Sequence, residues 1–344
     1  MRNRFRQRGF FLNPFRFAGT VQSGDLNFGG EASATIAGAS IVSADASSDG
    51  SGELVVGSDQ AASGAFSSIS EGGLTVEGAA VASMTFSAIG TSDASVVAAA
   101  EALLCDAADF DGTNDSMTRS SSMTGQADSK TGILSMWFKV DDLSGSGVSN
   151  DDVILVHDAT TNVFGVSINH GTDILTISGA DGTGINRLVM QTNSSLATTG
   201  FYHVLASWDL AAATGQLYIN DVSDLAAGGT YTDAVLRWAS ATTYKVSIGL
   251  SGGFLYDGGL AEVYIAPGQY IDLSVEENRR KFITADGKPV NLGATGSIPT
   301  GTNPLVYLHL EDGETASNFA INRTSAGNYT VSGALTTYAS SPSD

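Results

Sequence analysis

Residues 109–265 contain a series of short segments in which apolar and polar residues alternate, and Gly, Asn, Asp and Ser separate one segment from the next. Strict alternation over so few residues is typical of half-buried β-strands and not of helices. Several such strands with frequent turns predict a two-sheet β-sandwich, which we place at about 105–270. Large aromatic residues occur in each of the segments 132–140, 201–209, 215–221 and 258–265.

The charge distribution excludes some functions. Asp and Glu number 36 against 16 Lys and Arg, giving a formal charge of −20. Phosphate binding needs clustered Lys and Arg, so we expect no nucleic-acid binding by the main body. No apolar run approaches the roughly 20 residues that cross a bilayer, so we expect no membrane span. Cys105 is the single cysteine, and we expect its thiol to be buried and inert.

Residues 1–18 form a basic, Phe-rich arm without the continuous apolar core of a secretory signal. Arginine side chains bind carboxylates and aromatic rings fill apolar pockets, which favours an anchoring arm. A solvated tail is the alternative, since chain ends are commonly disordered. The predicted anchoring residues are Arg2, Arg4, Phe5, Arg6, Arg8, Phe10, Phe11, Phe15 and Arg16.

Residues 19–104 are repetitive, and more than half of the segment 31–60 is Ala, Gly or Ser. Alternation such as that of Met84 and Phe86 with Ser and Thr predicts short β-strands on small-residue turns. Thin strands bury little surface by themselves, so we expect symmetric copies of the chain, with a trimer favoured. A flexible Gly/Ser linker is the alternative.

Residues 271–344 are predicted to begin with a helix over 274–283 and then to cover or extend the sandwich. Ser274 is the expected N-cap, because acidic residues follow it in the first turn and basic residues close the segment, as the helix dipole favours. A short strand is predicted at 305–310. Residues 92–104 are compatible with either a capped helix or a strand that enters the sandwich.

Five segments follow one another along the chain, at residues 110–115, 136–140, 202–208, 217–220 and 259–265. In this order they resemble the concanavalin A-like, laminin-G-like jelly-roll family. The resemblance implies a jelly-roll sandwich, in a family whose members bind glycans, proteins or other surfaces and of which only some are enzymes. The residues expected in the core between its sheets are Trp137, Phe138, Val204, Trp208, Tyr218, Ile219, Val263 and Ile265.

The arm, the repeat region and the segment after 271 together resemble structural proteins of tailed-bacteriophage virions, of the fibre, spike or head-decoration type. This resemblance implies a virion component that is assembled in the host cytoplasm. Its arm would bind other virion proteins, and its jelly roll would brace subunits or attach to a host-surface glycan. The alternative function is that of a secreted or surface carbohydrate-binding, lectin-like module.

Enzymatic activity is not expected. Glucan hydrolases of this fold carry Glu-x-Asp-x-x-Glu on one strand, because retaining hydrolysis needs two carboxylates about 5 Å apart. The corresponding strand here offers Glu262 alone. The four His residues form no metal or nucleophile motif, so a glycoside-active enzyme is the weakest of the three hypotheses.

Two ligand sites are predicted, and no cofactor is required beyond a candidate structural calcium. The first site is a calcium site, because 109–115 is dense in the oxygen ligands that Ca²⁺ prefers. Its ligands would be Asp111 and Glu262, with Asn114 and Asp115 in addition; a turn closed by its own Asp and Asn side chains is the alternative. The second site binds glycan through aromatic residues in turn-rich surroundings, and packing in the core is their alternative role. These aromatic residues are Trp238, Tyr231, Tyr244, Phe254 and Tyr256.

Overall fold

The computed structural model describes residues 102–143, 150–248 and 255–344, and within residues 15–96 it describes the backbone of nine strands. The chain divides into two units, residues 1–101 and residues 102–344. Among the described residues, no helix is long and apolar enough to span a membrane.

The first unit consists of short parallel strands in two sheets. The strands are β1 (Phe15–Ala18), β2 (Gly24–Phe28), β3 (Ala34–Gly38), β4 (Ala44–Ser51), β5 (Leu54–Ser58), β6 (Ala62–Glu71), β7 (Leu74–Gly78), β8 (Val81–Ile89) and β9 (Ala94–Val96). One sheet has the order β1-β3-β5-β7-β9 and the other β2-β4-β6-β8, so the chain passes from one sheet to the other with every strand. We call this unit the N-terminal solenoid, and it confirms the predicted β-strands.

The register of the solenoid explains why the sequence repeats. Ile36, Val56, Val76 and Val96 are aligned on successive strands of the five-stranded sheet. β-Branched residues are favoured in strands, and the small residues between them allow close turns. Residues 94–96 form strand β9, but this strand pairs with β7 in the five-stranded sheet and does not enter the sandwich as predicted. Residues 97–101 lie outside the described part.

The second unit is an antiparallel jelly-roll sandwich. Its strands are β10 (Ala108–Asp111), β11 (Ser116–Arg119), β12 (Thr131–Val140), β13 (Asn150–His157), β14 (Asn162–Asn169), β15 (Ile174–Ala180), β16 (Asn186–Gln191), β17 (Tyr202–Asp209), β18 (Thr214–Ile219), β19 (Val222–Ser223), β20 (Thr230–Tyr231), β21 (Thr243–Ile248), β22 (Asp257–Pro267), β23 (Val306–Leu308), β24 (Thr330–Ser332) and β25 (Thr336–Thr337). The covered sheet has the order β19-β18-β17-β12-β22-β10-β25, with β23 beside β22. The alternating sheet has the order β20-β16-β15-β14-β13-β21-β11-β24. The all-β prediction is confirmed, and β24 and β25 bring residues beyond 270 into both sheets.

Two apolar layers fix this architecture. The main core lies between the sheets and includes Phe138, Val204, Trp208, Val263 and Ile265, as predicted. In strand β15 of the alternating sheet, buried and half-buried residues alternate, so one side faces the core. Strands β12, β17 and β22 of the covered sheet are buried on both faces.

A second layer covers the outer face of the covered sheet. Leu273, Phe282 and Leu292 of the C-terminal extension pack there on Ile133 and Leu205. In the described residues, the extension therefore contacts the outer face of this sheet. Strand β23 also lies within the predicted 305–310 segment.

Three predicted core residues have other positions. Trp137 packs on the outer face of the covered sheet, with Cys105 and Ile283. Tyr218 is partly buried under the extension, and Ile219 is only partly buried at the margin of the main core. The predicted burial of Cys105 is confirmed, since its exposure is 1%.

The predicted helix over 274–283 is much shorter. Helix α1 spans Glu276–Arg279, and its N-cap is Val275 without a side-chain capping bond. The Ser274 hydroxyl instead donates to Asp272 Oδ1 at 2.7 Å. The Nε of Arg279, the last residue of the helix, lies 2.6 Å from Asp221 Oδ1, so the helix is ion-paired with the sandwich.

Candidate ligand-binding site

One row of the covered sheet's outer face is only partly covered by the extension. Gly259 of β22 is in register with Asp109 of β10 on one side and with Lys139 of β12 on the other. Asp109 and Lys139 are only half-buried, whereas Ala107 and Trp137, one row further along, are buried. The change from closed to open surface therefore occurs at Gly259.

Two aromatic rings lie over this glycine. A Cβ atom on Gly259 would come within 2.9 Å of Phe201 Cζ and 3.1 Å of Tyr338 Cγ. The two rings meet edge to face, with centroids 5.8 Å apart and planes at 84°. The absence of a side chain at 259 is thus what lets both rings approach the sheet. We call Gly259, Phe201, Tyr338, Lys139 and Asp141 the Gly259 shelf.

Polar groups fix the orientation of Tyr338. Its hydroxyl donates to the Asp141 carboxylate, with both oxygens at 2.6 Å. Lys139 Nζ contacts both the Tyr338 hydroxyl and Asp141, and it lies 4.7 Å from the Tyr338 ring centroid. Burial alone would lower the pKa of Lys139, but the bonds to Asp141 and Tyr338 outweigh it and raise that pKa. Lys139 is therefore held as a cation beside the ring.

Carboxylates surround this end of the sandwich. Asp257 opposes Asp111 in the β10–β22 ladder. Partial burial, and then the charges of Asp141, Asp142 and Asp109, raise the pKa of Asp257. A raised carboxyl pKa is the expected result of like charges at short range.

The predicted calcium ligands do not converge. Asp111 Oδ1 accepts the backbone N–H groups of Thr113 at 2.8 Å and Asn114 at 3.0 Å. These bonds lower the pKa of Asp111, and they are the self-closed turn that we kept as the alternative. Asp115 is buried and accepts the N–H of Ala334 at 2.7 Å.

Glu262 lies elsewhere, and the structure corrects its predicted role. It occupies a bulge in β22 opposite β12, with φ of 50°, and is 2% exposed. Tyr307 Oη donates to Glu262 Oε2 at 2.9 Å, and His309 Nδ1 contacts Oε1. Asp111 opposes Asp257, which precedes Glu262 by five residues, or about 16 Å of strand. Within the described residues, no three His, Cys, Asp or Glu side chains form a metal-binding group.

The predicted glycan-binding aromatics are mostly core residues. Trp238, Tyr244 and Tyr256 are fully buried, so their rings are closed to a sugar. Tyr256 Oη donates to the carbonyl of Lys139 at 2.6 Å, and Tyr244 Oη donates to Gln126 at 2.7 Å. Tyr231 is partly buried against the main core. Phe254 lies outside the described residues.

A buried Ser–His pair also fails as a reactive site. Ser135 Oγ lies 2.9 Å from His203 Nε2, and both residues are buried beneath the extension. Burial lowers the pKa of His203 to about 3, with Asp221 opposing the shift. His203 stacks on Trp137 with centroids 4.7 Å apart, so its ring is part of the packed outer layer of the sheet.

Comparison with known proteins gives structural matches only. No protein-family model matches the chain, and no curated protein sequence matches it. A proposed carbohydrate-binding protein from Bacteroides ovatus is similar over 71% of this chain and 63% of its own, with 14% identity and a TM-score of 0.47. This chain therefore spans less than two thirds of that protein.

Two further matches cover 49% of this chain. Domains LG4-5 of the mouse laminin α1 chain match over 43% of their length, with 14% identity and a TM-score of 0.33. Domain 4 of an extracellular arabinanase from Geobacillus stearothermophilus, in complex with arabinotriose, matches over 73% of its length, with 13% identity and a TM-score of 0.35. The virion resemblance has no counterpart among these matches and stays a prediction.

Proposed function

We propose that the sandwich of residues 102–344 is a non-catalytic carbohydrate-binding module and that the Gly259 shelf is its binding site. The observation that carries this proposal is the half-exposed ring of Tyr338, seated on a glycine and flanked by a lysine and a carboxylate. Binding sites of this kind combine an apolar surface with a few placed polar groups.

The ring presents its outer side to a ligand. Gly259 and Lys139 belong to paired strands of the covered sheet and contact Tyr338 from the sheet side. The residue is nevertheless half-exposed, so part of it remains accessible to a ligand. A sugar can place its C–H face on this aromatic surface and bond through its hydroxyls to Asp141 or Lys139.

The absence of catalysis is also part of the proposal. Two imidazole contacts of this chain, Glu262–His309 and Ser135–His203, are both buried. A general acid or base must reach its substrate within hydrogen-bonding distance. These pairs therefore support packing of the extension better than a reaction.

Titration calorimetry of the full chain against a panel of neutral and acidic oligosaccharides tests the proposal. Loss of a central aromatic contact costs roughly 2 kcal/mol, so Tyr338→Ala should weaken binding about 30-fold. Tyr270→Ala, at an exposed tyrosine outside the shelf, is the matched control. No binding to any oligosaccharide, or equal affinity of Tyr338→Ala and the unmodified protein, would refute the assignment.

A structural role in a tailed-phage virion is the second candidate. The regular parallel register of the N-terminal solenoid favours it, because such repeats build rigid scaffolds. In this role the chain would be a fibre, spike or decoration protein that self-associates, with a trimer favoured. Antibody raised against the sandwich should then label purified particles in electron micrographs. Recovery of the protein only in the particle-free fraction would contradict this role.

A further inference from the structure

A row of carboxylates lies directly beside the Gly259 shelf. Asp111 of β10 is in register with Asp257 of β22, and the N–H of Asp141, just after β12, donates to the carbonyl of Asp257 at 3.0 Å. Three adjacent strands therefore bring three acidic residues to one level of the covered sheet. Neighbouring strands are about 4.8 Å apart, so the three residues lie within about 10 Å. We call Asp111, Asp257 and Asp141 the acid row.

The acid row shares a face with the shelf. Side chains along a strand alternate between the two faces of a sheet. Phe110, Tyr256 and Val140 belong to the main core, and each is next in sequence to one member of the acid row. The acid row therefore lies on the outer face, where Tyr338 packs over Gly259. Two residues of strand, or about 7 Å, separate it from the level of Gly259.

The charge on these two levels is one-sided. The acid row and Asp109, which is in register with Gly259, supply four carboxylates, whereas Lys139 supplies one ammonium group, so the formal sum is −3. Lys139 already contacts Asp141. Burial, and then the charges of four neighbouring Asp residues, raise the pKa of Asp257. The carboxylates are thus close enough to repel one another, and they repel a further anion in the same way.

Such repulsion discriminates between sugars of the same shape. A sugar on Tyr338 lies one level away from the acid row. In water, two unit charges about 7 Å apart change a binding constant about threefold. Three uncompensated carboxylates therefore weaken the binding of a singly charged anion about 20-fold, whereas the hydroxyl groups of a neutral sugar can donate hydrogen bonds to them. Repulsion of the wrong ligand is a common source of specificity.

We propose that the acid row makes the Gly259 shelf selective for neutral glycans and excludes glycans that carry carboxylate or sulfate groups. This inference rests on the proposed function, because it names the ligand class of the same site. Asp111 closes its own turn and Asp141 orients Tyr338. Asp257 is therefore the member whose charge can be removed with least effect on the shape of the shelf.

Titration calorimetry of the full chain with matched oligosaccharides tests the selectivity. The neutral oligosaccharide that binds best is compared with its derivative in which one primary hydroxyl is oxidised to a carboxylate. At low salt the derivative should bind about 20-fold more weakly, and about 0.5 M NaCl should reduce this ratio because salt screens the charges. Equal or tighter binding of the derivative, lost in Tyr338→Ala, would overturn the selectivity and leave the proposed function intact. Absence of binding by every oligosaccharide would overturn both.

A charge-removing variant locates the effect in the acid row. Asp257→Asn keeps the shape of the side chain, and it should bind the carboxylate derivative about threefold more tightly with unchanged affinity for the neutral form. Asp233→Asn is the matched control with the same change in net charge. Asp233 is exposed and pairs with Lys130, about 30 Å along β12 from Lys139. Equal effects of the two variants, or no effect of Asp257→Asn, would overturn the proposal.

Thermal unfolding tests the repulsion without any glycan. Like charges on adjacent strands destabilise a sheet, so Asp257→Asn should raise Tm of the sandwich at pH 7 by about 1–3 °C. Asp233→Asn loses only an exposed ion pair and should leave Tm unchanged or slightly lower. An unchanged or lower Tm for Asp257→Asn would show that the acid row is not repulsive and would contradict the inference.

Discussion

Tyr307→Phe should destabilise the sandwich by removing one hydrogen-bond donor from a buried carboxylate. Tyr307 and Glu262 are each 2% exposed, and the bond between Tyr307 Oη and Glu262 Oε2 is 2.9 Å long. The substitution keeps the ring and its packing, so the lost bond is the main change. Hydrogen bonds to charged groups contribute about 1.5–3 kcal/mol. Because His309 still contacts the other carboxylate oxygen, we expect a loss of about 2 kcal/mol, within this range.

The measurement can be confined to this unit. Trp137, Trp208 and Trp238 are the three tryptophans of the chain, and all lie in the sandwich, so tryptophan fluorescence follows its unfolding alone. A loss of about 2 kcal/mol should lower Tm by about 4–8 °C for a unit of this size. Tyr231→Phe is the control, because the Tyr231 hydroxyl is buried without a hydrogen-bond partner among the described residues. Equal Tm values for Tyr307→Phe and the control would refute the reasoning.

Three further predictions concern packing, pH and thiol chemistry. Gly132→Ala should lower the free energy of unfolding by about 1–3 kcal/mol, because the new Cβ would lie 2.1 Å from Trp208 Cζ2. Urea unfolding measures this loss. The control Gly200→Ala should leave the urea midpoint unchanged, because no atom lies within 4 Å of its new Cβ. Hydrogen bonds from Thr160 and Thr161 and the charge of Arg237 lower the pKa of Asp158 to about 2, although burial opposes this shift. The ionised carboxylate therefore stabilises the fold at pH values above its unfolded pKa of about 4. This contribution is lost as the pH falls towards 2. Asp158→Asn should accordingly be less stable at pH 7 and show a flatter acid limb in unfolding curves, and an unchanged limb would contradict the assignment. Burial, and then the charges of Glu262 and Asp106, raise the pKa of Cys105. Its thiol should therefore react with a disulfide reagent only after the protein is unfolded in urea. Rapid labelling of the native protein would contradict the burial of this thiol.

The sandwich could be predicted because its signals are local. Alternation and turn residues identify strands without knowledge of their partners. In a strand whose two faces are both buried, however, alternation does not show which face points into the core between the sheets. Trp137 and Phe138 are adjacent in β12 and both buried, yet only Phe138 faces the core between the sheets. The residues that pack on Trp137 include Cys105, which precedes β10, and Ile283 of the extension, and no local sequence pattern predicts these contacts.

The shelf could not be predicted for a similar reason. Turn-rich surroundings suggested Tyr256 as a glycan contact, but its hydroxyl bonds to the backbone carbonyls of Lys139 and Gly259 beneath the sheet surface. Phe201 and Tyr338 are far apart in sequence and meet only because both pack over Gly259. The one available signal was the glycine pair within a strand, since a glycine there often marks a close approach by another group.

The position of Tyr338 makes the C-terminal extension part of the proposed binding site. The Tyr338 N–H donates to the carbonyl of Ala107 at 2.9 Å. The Thr336 hydroxyl donates to Asp109 at 3.0 Å, and Ser343 Oγ bonds to the backbone of Cys105. These contacts tie the last residues to the strand beside Gly259, on the sheet whose remaining outer surface the extension covers. The C-terminal extension therefore both covers most of the outer face of this sheet and supplies the Tyr338 ring of the Gly259 shelf. The stability of the extension and the shape of the shelf depend on the same contacts.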